Sequence, residues 1–361
     1  MNIFRFANPF GTGRSRVATV PVFDAALKPN EILRQAEPVA HLQEPADLCV
    51  VDGVVHVTDG CRVLALGPGK PQCVLNADRR ITALGAIGGG LAFALEGREV
   101  AVLGGRFDGT KLSGPESAPF RAVNSIAASG SQLILTDGST THGADDWRRD
   151  LMSLGATGRV FRCDLETERT DCLNSGMRFA FGASVAGEKI VVSESWRHRL
   201  VGIDMSGAAS TVLDHLPAYP SRLSAARNGF WLTMFCSRSQ LVEFVLTETN
   251  FRRDMINAID PDLWIAPQLR EGQSVHEPLQ MAGLLTEGET RPWAPSRTYG
   301  LVVKLDRELR PVYSLHSRTG GPNHGIVAAA ELGNQLYLLS MAESAVVRID
   351  IAAAEREAGL L

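Results

Sequence analysis

The feature that most narrows what this chain can fold into is a repeat. A short apolar run, a turn carrying Gly or Asp, a second apolar run and then a third return about every 40 to 50 residues. Such runs, alternating or unbroken and bounded by Gly, Asn and Asp, read as strands. They fall at 47–51, 54–58, 62–66 and 72–75, then at 81–87, 90–94 and 99–103. Further copies fall at 125–128, 132–136 and 158–163, and at 183–186, 189–193 and 200–204. A fifth runs through 223–226, 230–234, 299–305 and 311–315, and a sixth through 325–330, 335–340 and 345–349. Small sheets packed radially cover the strand edges that an open sheet exposes. The pattern therefore predicts an all-β fold, a six-bladed β-propeller spanning 1–361 as a single domain. The sixth copy lacks a fourth strand, and the segment 16–22 is expected to supply it and close the ring.

Two copies carry partly helical insertions, 138–157 and 241–298, with helix-like stretches at 145–154 and 250–259. Both lie between a second and a third strand. In a propeller that connection shares a face with the loop entering each innermost strand, so both insertions should crowd the pocket mouth of the channel. Loops gathered there are the usual place for binding and chemistry.

Composition removes several function classes. The 36 basic and 40 acidic residues leave a net charge of −4, without the cationic surplus that nucleic-acid binding requires. No apolar run is long enough to span a bilayer, and the opening MNIFRFANPF has no secretory pattern, so a cytoplasmic protein without a membrane partner is expected. The six cysteines form no C-x-x-C pair and are expected to be free and buried in a reducing compartment. The Gly-rich stretches 85–90 and 104–109 lack the following helix that a phosphate loop needs. No nucleophile elbow or zinc-spaced Cys/His set appears. The partner left is a small organic substrate. Nothing in the sequence signals an oligomeric state.

Four segments resemble the strictosidine synthase family and its relatives, the gluconolactonases, paraoxonases and other calcium-dependent propeller hydrolases. They are LILTDGS at 133–139, GRVFRCDLETE at 158–168, VVSESWRHR at 191–199 and LPAYPSRLSAARNGFW at 216–231. The resemblance implies a central calcium held by oxygen ligands from four loops. Glu44 and Asn124 match two ligand places, whereas Phe181 and Ser221 stand in the others, with Arg222 beside them. A phenyl group cannot coordinate calcium and a guanidinium repels it, so no metal ligand set and no cofactor is expected, with calcium disfavoured. Arg222 is expected to face inward and pair with Glu44.

The synthase branch of the resemblance implies metal-free acid–base chemistry from a glutamate on the loop entering blade six. The matching loop, GGPNHGI at 320–326, has no glutamate but carries His324, which can exchange protons near neutral pH. The catalytic candidates are accordingly His324, Glu44 and, on the first insertion, His142. The substrate-binding candidates are Asn124, Phe181, Ser221, Arg222, Asn323 and Trp293. The expected activity is a hydrolase acting on a lactone, ester or related cyclic substrate without a conventional catalytic calcium. A strictosidine synthase-like lyase that condenses an amine with an aldehyde, and a non-catalytic ligand-binding propeller, are the alternatives.

Overall fold

The computed structural model describes residues 19–269, 298–318 and 321–360, together with the backbone of a small hairpin, Leu285–Thr286 with Glu289–Thr290. Its core is six four-stranded antiparallel sheets. Blade 1 consists of Leu48–Val51, Val54–Asp59, Arg62–Leu66 and Gln72–Asn76. Blade 2 is Ile81–Ile87, Gly90–Leu95, Glu99–Leu103 and Lys111–Leu112, and blade 3 is Val123–Ser129, Gln132–Asp137, Gly158–Asp164 and Arg169–Met177. Blade 4 is Ala180–Ala186, Lys189–Glu194, Arg199–Ile203 and Ala209–Leu213. Blade 5 is Ala218–Ala226, Gly229–Ser237, Thr298–Leu305 and Pro311–Ser317. Blade 6 combines Ile326–Leu332, Gln335–Ser340 and Ala345–Asp350 with Glu37–His41.

The middle strands of the blades are the most buried and the outermost strands the least. Gly90–Leu95 and Thr298–Leu305 are buried at every residue because a neighbouring blade covers each face, whereas Ala209–Leu213 is largely exposed. This is why the middle strands read as unbroken apolar runs rather than alternating ones.

The ring is closed by Glu37–His41, which pairs with Ala345–Asp350 and sets Glu37 opposite Arg348. The expectation that 16–22 closes it is corrected: residues 19–22 form no strand, and 16–18 lie outside the described residues. Only a short connection, 42–47, separates the closing strand from blade 1, so the last strand before blade 1 must be the one paired to blade 6. Upstream, a 3₁₀ turn at Ile32–Gln35 buries Ile32 and Leu33 in the cluster shared by Trp231, Val302 and Leu338.

Two side-chain devices recur around the ring. In the first, an acid ending a second strand accepts backbone N–H groups from the loop entering its own blade and pairs with an arginine of the third strand. Asp59 does this for Gln43, Glu44 and Arg62. Asp137 serves Arg121, Ala122 and Arg159, and Glu194 serves Arg178 and Arg199. In the second, a polar side chain reaches the backbone of the next blade. Asp47 accepts from Leu84 N, and Thr82 donates to Val123 O. Thr136 donates to Phe181 O, Ser193 to Ser221 O and Thr233 to Val327 O.

The described parts of the two insertions meet at the pocket mouth. The first holds α1 (Trp147–Met152); the second holds α2 (Gln240–Thr247), capped by Ser239, and α3 (Thr249–Ala258). They are tied together. Arg148 donates to Pro261 O at 2.9 Å and pairs with Asp262 at 2.6 Å, and Arg252 donates to Met152 O. The chain ends in α4 (Ile351–Glu357), packed through Ala354 beneath blades 5 and 6. All six cysteines are free, but Cys73 and Cys172 are exposed, which corrects the expectation that all are buried. Both lie in outermost strands, where no neighbouring sheet covers them. Among the described residues no helix is long and apolar enough to cross a membrane.

Asp137 is wholly buried, and its loss would leave Arg159 without its counter-charge and the Ala122 N–H without its acceptor. Asp137→Ala is expected to cost about 3–5 kcal/mol, the usual penalty for orphaning a buried charge. Urea unfolding with an unchanged slope and a lowered midpoint checks it.

Candidate functional site

The site is built around one arginine. The innermost strand of blade 5 slips register between Pro220 and Leu223 as it pairs with Gly229–Ser237. Arg222, lying in that slip, is buried toward the channel. Its Nε lies 3.2 Å from Asp47 Oδ1 and donates to Asn124 O at 3.0 Å. Nη2 donates to Asn124 O at 2.6 Å and Thr82 O at 3.3 Å, while Nη1 reaches Val327 O at 3.5 Å. The guanidinium also lies over the Phe181 ring, 5.3 Å from its centroid. One side chain of blade 5 thus touches groups from each of the other blades, counting Asp47 at the entry to blade 1.

Above it is a pocket of about 90 Å³, open on one side. Arg222, Asn124 and Thr82 supply polar groups, and Phe179, Phe181 and Phe235 supply aromatic wall. The first insertion contributes Ala144, Asp145 and Trp147, and the second contributes Leu269. Asp145 is paired with Arg80 from the loop before blade 2. The aromatic wall is braced from behind: Phe179 stacks on Trp196 with centroids 4.4 Å apart, and Trp147 meets Phe235 edge-on at 5.5 Å. Phe179 holds a left-handed backbone (φ 61°), a conformation unusual for a bulky residue and of a kind that clusters at functional sites.

Electrostatically the centre is a pair of opposite charges in a dry place. Burial pushes the Asp47 carboxyl up to about 6, against the pull of Arg222 and of the N–H groups of Leu84 and Leu48. Burial likewise draws Arg222 below its ordinary range while Asp47 draws it back up. Desolvation outweighs attraction for both partners, as is common for interior pairs.

The sequence-derived candidates fall into two groups. Asn124, Phe181 and Arg222 come together in the pocket wall. Ser221 is buried beside them, but its hydroxyl is bonded to Thr233. Glu44 is exposed; its backbone N–H bonds Asp59, and its carboxylate lies toward Gly60 rather than Arg222. The expected Arg222–Glu44 pair is therefore corrected to Arg222–Asp47. Glu44 precedes the turn, whereas Asp47 immediately precedes the inner strand and is carried inward with it. Asn323 is buried away from the pocket, and its amide donates to Leu33 O and Ala36 O. His324 bonds Thr298 through Nδ1 and has Nε2 3.7 Å from Glu343, outside the pocket lining. His142 is half-buried on the first insertion, its N–H bonded to Ser139, and is also outside the lining. Trp293 lies outside the described residues. Sequence reading missed Asp47, although an acid directly before the apolar run LCVV is a signal that a carboxylate is being drawn into the core.

The calcium implied by the resemblance does not fit these groups. A guanidinium occupies the meeting point of the loops and consumes the Asn124 carbonyl, and the Asn124 amide is spent on Ala180 O. Phe181 offers a ring, and the Glu44 carboxylate is turned away. Among the described residues no group of three or more His, Cys, Asp or Glu is placed to hold a metal.

Comparison with known proteins agrees with this fold. No protein-family model matches the chain. A stretch of 145 residues, 38% of this chain and 39% of the relative, is 23% identical to strictosidine synthase-like protein 10 of Arabidopsis thaliana. Among solved structures, a gluconolactonase of Xanthomonas campestris superposes with a TM-score of 0.55 at 12% identity, covering 88% of this chain and 90% of that one. A second gluconolactonase-type protein gives 0.54 at 12% identity, covering 88% and 92%. The chain is thus similar to the strictosidine synthase-like and gluconolactonase propellers, and at these identities the shared property is the six-bladed fold.

Arg222→Met would leave Asp47 buried without its partner, an expected loss of about 3–5 kcal/mol at pH 8. The loss should shrink toward pH 5. Asp47 has a folded-state pKa raised above its unfolded value, so its contribution to stability is present at low pH and is lost as pH rises through about 6. Removing Arg222 removes the main influence holding that value down, so the variant suffers most where the lone carboxylate must ionise. Unfolding midpoints of both proteins at pH 5 and pH 8 check the sign.

Proposed function

We propose that this propeller is a small-molecule enzyme that opens a compact lactone or ester in the channel-mouth pocket, without a conventional catalytic calcium. The observation that carries the reading is the position of Arg222, a charged donor held by Asp47 and by carbonyls of three blades beneath an aromatic wall. When water adds to a carbonyl carbon, the carbonyl oxygen gains negative charge. A fixed donor in a water-poor site stabilises that charge without having to reorganise. Asp145 is the carboxylate in the pocket wall, paired there with Arg80. In the proposed step it takes the proton of the attacking water and returns it to the departing alkoxide as the ring C–O bond breaks. The fold shared with gluconolactonase-type proteins and the partial likeness to a strictosidine synthase-like protein support an enzyme of this group.

A second reading, a ligand-binding propeller without catalysis, is favoured by one specific observation. Among the described residues lining the pocket, Asp145 is the only acid and no histidine is present.

A panel of lactones, esters and amine–aldehyde pairs, assayed with calcium and with chelator, separates these readings. Hydrolysis unaffected by either addition is expected, with Arg222→Lys lowering kcat by about 10²–10³-fold, the usual cost of losing a charge-stabilising donor. No turnover on the panel, with ligand-induced thermal stabilisation, would favour the binder. His324→Ala is expected to keep kcat within about tenfold, below the usual 10²–10⁴-fold contribution of a positioned acid–base group. A loss in that larger range, with amine–aldehyde condensation as the active reaction, would move the assignment to the synthase-like alternative.

A further inference from the structure

The pocket has an apolar wall, a permanent cation at its floor and, behind that cation, a carboxylate able to change its charge. We infer that the natural ligand carries a carboxylate which binds Arg222, and that Asp47 takes up one proton as it does so. The inference rests on the small-molecule reading of this pocket: the donor that faces the reacting carbonyl oxygen of a lactone or ester would hold the carboxylate that hydrolysis releases, and the class of compound that fits is a small, flat monocarboxylate.

Three observations converge on it. First, the guanidinium has unused capacity. Nε and Nη2 are committed to Asp47, Asn124 O and Thr82 O, but Nη1 reaches only Val327 O, at the 3.5 Å limit of a hydrogen bond. Arg222 and Val327 both form pocket wall, so this under-used edge is beside the space a ligand would enter. A planar fork of donors suits a carboxylate better than any other common ligand group.

Second, the shape favours a flat body. At about 90 Å³ the pocket is smaller than the roughly 150 Å³ cavity known to take benzene, so a single small ring fills it and the remainder projects through the open side. Phe179, Phe181 and Phe235 offer the faces against which such a ring packs.

Third, the charges require the coupling. Arg222 and Asp47 cancel, as do Arg80 and Asp145 at the rim, so an entering anion would be uncompensated. The groups facing the Asp47 carboxylate are Arg222 from blade 5, the N–H of Leu84 from blade 2, and the Leu48 N–H and Cys49 from blade 1. Of these Cys49 is a neutral thiol, pushed up by burial and by Asp47 itself. Asp47 is therefore the one group there whose charge can change near neutral pH, and burial already places it near 6. Protonating it leaves Arg222 as a free cation that the ligand carboxylate can neutralise.

Titration calorimetry with benzoate, and with benzamide as the neutral isostere, tests this between pH 5.5 and 8. Benzoate affinity should rise about tenfold per pH unit on descending from pH 8 toward 6 and then level, the signature of one linked proton. Benzamide should bind far more weakly and without pH dependence. Asp47→Asn should bind benzoate at pH 8 as tightly as the unaltered protein does at pH 6; should that variant not fold, the pH slope and the buffer-dependent proton uptake of the unaltered protein decide alone. Equal affinity for the two ligands, no benzoate binding at pH 6, or a flat pH profile would each overturn the inference. Turnover of a neutral lactone together with no benzoate binding would overturn it while leaving the proposed function standing. Proton-linked benzoate binding with no turnover on the substrate panel would sustain it and remove the enzyme reading.

Discussion

A guanidinium at the axis of six radially packed sheets has to be satisfied from every side, and the rest of this structure is arranged so that it is. Arg222 draws a carboxylate from the entry to blade 1, carbonyls from blades 2, 3 and 6, and an aromatic face from blade 4. A buried charge left unpaired is costly, so these partners hold one another in register as well as holding the arginine. The pair is not a bargain in stability, since burial works against both members. Its value lies in placement: a rigid, permanently charged donor at the bottom of a pocket.

The seams between blades show how such a centre is kept in place. Hydroxyls of second strands reach the backbone of the following blade, and in blades 1, 3 and 4 an acid ending the second strand pins the loop that enters the inner strand. These loops carry the residues that meet at the axis. Asn124 belongs to both systems: its carbonyl receives Arg222 while its amide bonds the entry to blade 4. Movement of one blade would therefore disturb the pocket directly.

The comparisons place a familiar scaffold around an unfamiliar centre. The propeller is shared with gluconolactonase-type structures across most of the chain, while the positions that the resemblance would assign to a cation hold a phenyl ring, a serine and an arginine. One fold can host many chemistries because chemistry depends on the few side chains at the site. Here those side chains set a guanidinium where the resemblance would place a metal ion.

The blades were legible in the sequence because strand length, turn residues and apolar content are local properties, and the strands found between residues 47 and 350 follow the repeat closely. Placement of the insertions was legible too, because a connection between second and third strands can emerge only at one mouth. The outermost strands of several blades escaped notice since they are short or polar, as Lys111–Leu112 and Ala209–Leu213 are. Ring closure could not be read locally: strand 37–41 is recognisable only once blade 6 stands beside it. The same holds at the site. Sequence alone indicated that Arg222 should turn inward, because it stands where the resemblance calls for a pocket residue. Which acid meets it depended on a difference of three positions along a loop, and tertiary structure decided for Asp47 over Glu44. It also set His324 against Thr298 and Glu343 rather than in the pocket lining. Direction and distance across a closed ring are properties of the assembled sheets, and no local pattern encodes them.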